Sequence, residues 1–215
     1  MYKFCVFDMD GTVVNSIGDI AAAMNRSLTA LGHDTYPDSA YLKMVGDGMD
    51  ILCRRALPDG SEDEIQRLIA LYKEDYINHC CERSVIYDGV KELIDKLNSN
   101  GIKCAILSNK PQDQALEVAD VLFDDNMFIE ILGQTPEFPI KPAPDGLIHM
   151  MQKYGFHKAD VAYIGDTNVD MTLGKSAEVF TIGVTWGFRD EKELVDSGAD
   201  AIAHTAKDLE KILGL

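Results

Sequence analysis

Lys3-Phe4-Cys5-Val6-Phe7-Asp8-Met9-Asp10-Gly11-Thr12 changes character halfway along. Residues Lys3 to Phe7 form a short apolar run rich in strand formers, which stops abruptly at two carboxylates, a glycine and a threonine, the composition of a turn. The acids therefore fall at the C-terminal end of a strand. The same plan recurs where Lys103 to Leu107 ends at Ser108-Asn109-Lys110-Pro111 and where Val161 to Ile164 ends at Gly165-Asp166. Three strands thus deliver polar groups to one edge of a sheet.

Between these strands the periodicity is helical. Val90, Leu93, Ile94 and Leu97 fall at i, i+3, i+4 and i+7 with Gly101 as a stop, a second helix begins near Pro144 and stops before Gly155, and a last one covers Ala206 to Leu213. Further strands are expected at Phe128 to Leu132, Val179 to Val184 and Ala201 to Ala203. Alternation of this kind predicts an α/β fold, a doubly wound parallel sheet covered on both faces, with ligands beyond the carboxyl ends of its strands. Residues 16–82 interrupt the rhythm: helical patterns at Ile20 to Leu31, Met49 to Leu57 and Glu62 to Cys80 contain no clear strand. They are expected to be an all-helical inserted domain, with residues 1–15 and 83–215 forming the α/β core.

Composition narrows the function classes. The chain has 215 residues, 46% hydrophobic and 26% charged, enough to bury a real core. A formal net charge of -16 argues against a nucleic-acid backbone or an anionic membrane surface as the main partner, and requires local cations or a metal to capture any anionic substrate. No apolar run approaches the roughly 18 to 20 residues that span a bilayer, and the N-terminus lacks the layout of a secretory signal, so a cytoplasmic location is expected. Five cysteines without a C-x-x-C suggest neither a disulfide framework nor a thiolate zinc site, and Cys5 and Cys104 read as core thiols.

A D-x-D-G-T turn alone can be a simple loop closure. Here it accompanies Ser108 at the end of a second strand, Lys141 in Ile140-Lys141-Pro142-Ala143-Pro144-Asp145, and Gly165-Asp166-Thr167-Asn168-Val169-Asp170. This ordered set resembles the four signature motifs of the haloacid dehalogenase-like superfamily, over nearly the whole chain and with the insert placed after the first motif. The resemblance implies a doubly wound core with a helical cap. Within the superfamily, Val45-Gly46-Asp47-Gly48-Met49 followed by Ile51 to Leu57 looks most like the caps of bacterial phosphoglycolate phosphatases.

What the resemblance implies is a Mg²⁺-dependent hydrolase of a small phosphorylated metabolite, a monomer or dimer without nucleic-acid or membrane partners. Asp8 would be the nucleophile that becomes an aspartyl-phosphate, Asp10 the general acid and base, Ser108 and Lys141 the groups that hold the phosphoryl oxygens. Asp8, Asp166 and the Asp10 carbonyl would hold the metal, and Asp170 would either ligate it or orient a water bound to it. Physics supports the metal: two like charges about 4 Å apart cost roughly 4 kcal/mol at an effective dielectric of about 20, so four converging carboxylates need a counter-charge. Backbone amides near Gly11 and Asn109 would add donors to substrate, Thr12 would fix the loop, and Gly46 and Arg54 would line the substrate side, with Lys43 and Arg55 as further cap cations. Trp186 and Phe188 are expected to pack, with Arg189 as a neighbour of the site. Each role has a plainer competitor: Ser108 as a helix cap, Lys141 as a solvated loop lysine, Asp170 as an acid in a helix's first turn.

Phosphoglycolate is the leading substrate, with a sugar-phosphate mutase, a pyrophosphatase or a nucleotidase of the same superfamily as alternatives. A dehalogenase does not use an acid at the position of Asp10. A receiver domain takes its phosphate on an Asp ending a later strand, where this chain has Ser108. A catalytically dead binding protein would lack a motif residue, and none is missing.

Overall fold

A computed structural model describes residues 2–215. Its sheet has six parallel strands in the order β5-β4-β1-β6-β7-β8, where β1 is Phe4–Phe7, β4 Lys103–Pro111, β5 Glu130–Gln134, β6 Val161–Gly165, β7 Phe180–Val184 and β8 Ala201–Ala203. β1 lies between β4 and β6, with Phe4 opposite both Lys103 and Val161. The chain winds outward from β1 in both directions, so the strand order reverses beside it. A crevice opens at such a switch point, beyond the carboxyl ends of the strands.

Both faces are covered, as buried parallel strands require. Phe4 and Val6 point into one apolar cluster with Leu147 and Met150 of α7 (Asp145–Tyr154), whereas Cys5 and Phe7 point into the other with Val90, Leu93, Ile94 and Leu97 of α5 (Val90–Ser99). Alternation along the strand produces this division. Pro144 and Gly155 flank α7, the glycine in the left-handed conformation that ends a helix cheaply. The remaining core helices are α6 (Gln112–Leu122), α8 (Asn168–Ala177), α9 (Glu191–Asp196) and α10 (Ala206–Leu213).

The chain leaves the core through β2 (Val14–Asn15) and returns through β3 (Val85–Ile86), which pair antiparallel as a narrow ribbon. Between them lie four helices and no strand: α1 (Ile17–Ala30), α2 (Asp38–Tyr41), α3 (Met49–Ala56) and α4 (Glu62–His79). α4 starts with a full capping box between Ser61 and Glu64. The buried Asp19 of α1 accepts the amides of Arg83 and Ser84 at 3.0 and 2.8 Å and the Ser84 hydroxyl at 2.5 Å, fastening the returning chain beside the outgoing one.

Two expected strands are displaced. The second strand does not stop at Leu107 but runs to Pro111, because pairing with β5 resumes at Pro111 opposite Gln134 after an irregularity. The strand expected at Phe128 to Leu132 lies at Glu130–Gln134, and Phe128 instead packs edge-on against Phe123, with ring centroids 5.1 Å apart.

Candidate active site

Asp8 follows β1 directly. Its Oδ1 accepts the Met9 amide at 2.7 Å and stands 2.7 Å from the Lys141 ammonium, with the residue almost wholly buried. The turn that follows is tight: the amides of Thr12, Val13 and Val14 all reach the Met9 carbonyl, at 3.3, 3.1 and 3.0 Å. Gly11 has φ +90°, and a Cβ there would overlap the Asp166 carboxylate. Only glycine combines that left-handed backbone with that close approach.

Asp166 follows β6 and is completely buried. Thr12 Oγ1 donates to its Oδ1 at 2.9 Å and the Phe188 amide to its Oδ2 at 2.7 Å. Thr12 thus fixes a carboxylate rather than facing the pocket, and the Trp186 indole donates in turn to the Thr12 carbonyl at 3.0 Å. Asp170, in the first turn of α8, closes a capping box with Thr167 through its Oδ2 while its Oδ1 takes Lys141 at 2.8 Å and the Tyr163 hydroxyl at 3.0 Å. It is an N-terminal helix acid and a member of the buried cluster at once. One oxygen from each of Asp8, Asp166 and Asp170 lies within 4.8 Å of the others, a set of hard oxygen donors that suits a small divalent cation.

Lys141 is buried, not solvated. Burial opposes its charge, yet the carboxylates of Asp170 and Asp8 hold its pKa above the ordinary value. Asp8 is pushed up to about 7, chiefly by burial, with Lys141 pulling down and Asp170 and Asp10 pushing up; burial and the charges of Asp170 and Asp8 drive Asp166 well above the carboxylate range. Burial is the main cause, and a shortage of positive charge adds to it. Asp8, Asp10, Asp166 and Asp170 converge with only Lys141 and Lys110 among them, leaving two negative charges that one divalent ion would balance.

Lys110 is a buried cation of the pocket that the sequence reading missed. Its ammonium is 3.0 Å from each oxygen of Asp10 and 4.4 Å from the centroid of the Tyr76 ring on α4. It stands two residues past Ser108 on one strand, so both can reach the same face; that spacing was the available signal. Ser108 lines the pocket and its Oγ accepts the Lys110 amide at 3.2 Å, within a strand rather than at a helix end. Asn109 is a clamp: its Nδ2 donates to the carbonyls of Lys141 and Gly46, both at 3.0 Å, and its Oδ1 accepts the Lys141 amide at 2.7 Å.

The pocket over these groups, about 510 Å³ including its mouth, is walled on the insert side by Ile20, Gly46, Met49, Leu52 and Tyr72. Arg54 is not among them. It is turned away on α3, paired with Asp50 at 2.7 Å and Glu62 at 2.8 Å. Arg55 is likewise taken, by Asp47 at 2.6 Å, and Lys43 is exposed. Arg189 serves as a strut between core and insert: its guanidinium donates to the carbonyls of Leu42 and Val45, the latter at 2.9 Å.

A doubly wound sheet that gathers four carboxylates and two ammonium groups at its switch point defines a class: an α/β protein with a buried acidic cluster that could hold a cation. The chain belongs to the haloacid dehalogenase-like hydrolase family, whose sequence profile matches residues 5–184. It is 30% identical over 220 residues to a phosphoglycolate phosphatase of Mannheimia succiniciproducens, covering 99% of this chain and 98% of that protein. A phosphoglycolate phosphatase of Haemophilus influenzae is 30% identical over 207 residues, 93% and 92% of the two chains. Among solved structures, that of a predicted phosphoglycolate phosphatase from Haemophilus somnus superposes with a TM-score of 0.93 at 27% identity, covering 99% of this chain and 98% of the other. The protein is a phosphatase. No helix among the described residues is long and apolar enough to cross a membrane.

Proposed function

We propose that this protein hydrolyses a small phosphate monoester, with phosphoglycolate as its substrate, through an aspartyl-phosphate on Asp8. The observation that carries the reaction is the pairing of two differently held acids in one pocket: Asp8 against Lys141 and Asp10 against Lys110. The substrate reading is supported by the relatives described above. Asp8 Oδ1 is occupied by the Met9 amide and Lys141, which leaves Oδ2 to attack phosphorus. As the new O–P bond forms, the ester P–O bond breaks and Asp10 gives its proton to the departing alkoxide. Water then attacks phosphorus, the bond to Asp8 breaks, and Asp10 takes the water's proton back.

Lys141 and the Ser108 hydroxyl would meet the phosphoryl oxygens, where charge collects. Asp8, Asp166 and Asp170, with the Asp10 carbonyl, would hold Mg²⁺, and the three carboxylate oxygens already lie close enough together to share one ion. Bound there, Mg²⁺ supplies neutralising charge to the carboxylates and to phosphate. Residues 16–82 would act as a cap, a reading supported by their connection to the core through the β2–β3 ribbon and by the pocket wall they supply.

The test is phosphate release, with and without Mg²⁺, from phosphoglycolate, pyrophosphate, nucleoside monophosphates and hexose phosphates, with Asp8→Asn as control. Metal-dependent preference for phosphoglycolate, absent from the variant, is expected. Preference for another member of the panel would overturn the substrate, and isomer interconversion without release would replace the hydrolase by a mutase.

A further inference from the structure

Two polar groups in the pocket have no part in holding phosphate. Lys110 spends two of its three N–H donors on Asp10, and the third finds no oxygen acceptor among the described residues, with only the Tyr76 ring near the ammonium at 4.4 Å. Gln114, in the first turn of α6, is 1% exposed and lines the same pocket, yet its Nε2 has no hydrogen-bond partner. An unsatisfied buried amide is costly, about 1–3 kcal/mol, and such groups in native proteins commonly mark the place of a missing partner. Lys110 lies beside Asp10, where the alcohol half of the substrate departs, and Gln114, four residues further along the chain, lines the same pocket.

We infer that Lys110 and Gln114 form a second anion subsite that takes a carboxylate on the leaving group, making the preferred substrate a phosphate ester of a short hydroxy acid. This rests on the reading of the site as a phosphatase. A carboxylate fits better than a second phosphoryl group. One ammonium hydrogen and one amide match a single planar anion, whereas a phosphoryl group brings close to two charges at neutral pH. The substrate must be short: Ser108 and Lys110 are two residues apart on one strand, on the order of 7 Å. Ile20, Leu52 and Tyr72 line the same pocket and add mainly apolar surface, which suits no additional hydroxyl-rich chain.

The test reads binding, so it does not depend on turnover. Phosphoglycolate, ethyl phosphate and pyrophosphate are titrated calorimetrically into Asp8→Asn protein with Mg²⁺. Phosphoglycolate is expected to bind at least about ten-fold more tightly than ethyl phosphate, the size of one charge-assisted hydrogen bond. Adding Gln114→Met is expected to abolish most of that preference while leaving ethyl phosphate binding unchanged. Gln114→Glu, which repels a carboxylate, reads the same contact should the Met variant fold poorly. Equal affinity for the two esters, or an equal loss for both in the Gln114 variants, would overturn the subsite. Tightest binding of pyrophosphate with the same Gln114 dependence would overturn the carboxylate. If wild-type protein turns over none of these compounds while the preference and its Gln114 dependence stand, the phosphatase reading fails and the subsite survives.

Discussion

Lys141→Met removes the cation that contacts both Asp8 and Asp170, at 2.7 and 2.8 Å, from a position where its side chain is 3% exposed. Breaking a buried ion pair by deleting one partner costs about 3–5 kcal/mol, and the pH dependence of that cost is the informative part. In metal-free protein the Asp8 carboxyl is raised from 3.8 to about 7, so the folded state keeps a proton that the unfolded state has released across that window. Wild-type stability should therefore decline from about pH 4 to about pH 7 through this group, then level off. Without Lys141 the carboxyl rises further, because the charge and hydrogen bond that lower it are gone. Above pH 7 the variant should go on losing up to about 1.4 kcal/mol per pH unit through Asp8, a loss that wild type has completed by then, on top of the slope that Asp166 gives both proteins. Urea denaturation in EDTA from about pH 6 to about pH 9 measures both. A deficit that widens with rising pH is expected; a deficit that is constant, or that widens toward acid, would refute the coupling between Lys141 and Asp8.

Three other perturbations read other parts of the account. Gly11→Ala places a Cβ on the Asp166 carboxylate in a backbone conformation that alanine avoids, and should abolish Mg²⁺-dependent activity while far-ultraviolet circular dichroism stays native; retained activity would show that Asp166 can move freely. Asp10→Asn should lower kcat about 10²–10⁴-fold with little change in affinity for phosphate; unchanged kcat would remove Asp10 from proton transfer. Asp19→Ala orphans the amides of Arg83 and Ser84 where the chain rejoins the core, and should lower unfolding free energy by about 2–3 kcal/mol in urea titrations; a loss below about 0.5 kcal/mol would mean that water replaces the carboxylate there.

Much of the fold is legible in the letters because strand ends here coincide with abrupt polarity changes. Asp8 and Asp166 can be placed at strand ends from their own neighbourhoods, and α10 (Ala206–Leu213) coincides with its expected span. The β2–β3 ribbon is too short, at two residues a strand, for any periodicity to show. The continuation of β4 past Ser108 was hidden by Asn109 and Pro111, whose turn-forming character is overridden by pairing with Gln134. That misplacement also concealed Lys110, since a lysine in a presumed loop reads as solvated. Arg54 was misjudged for the opposite reason. Its charge suited an anionic substrate, but sequence does not say which flank of a short helix an arginine takes when Asp50 and Glu62 compete for it. Gln114 carries no sequence signal, because its significance lies in a partner that the folded chain does not provide.

In the proposed reaction Asp8 carries the phosphoryl group between the two half-reactions. Wild-type protein mixed with radiolabelled phosphoglycolate and Mg²⁺, quenched with acid within the first turnover and digested, should yield label on the single peptide that contains Asp8, and none from Asp8→Asn. Full phosphate release at the same times with no label on that peptide, or label on another residue, would contradict it.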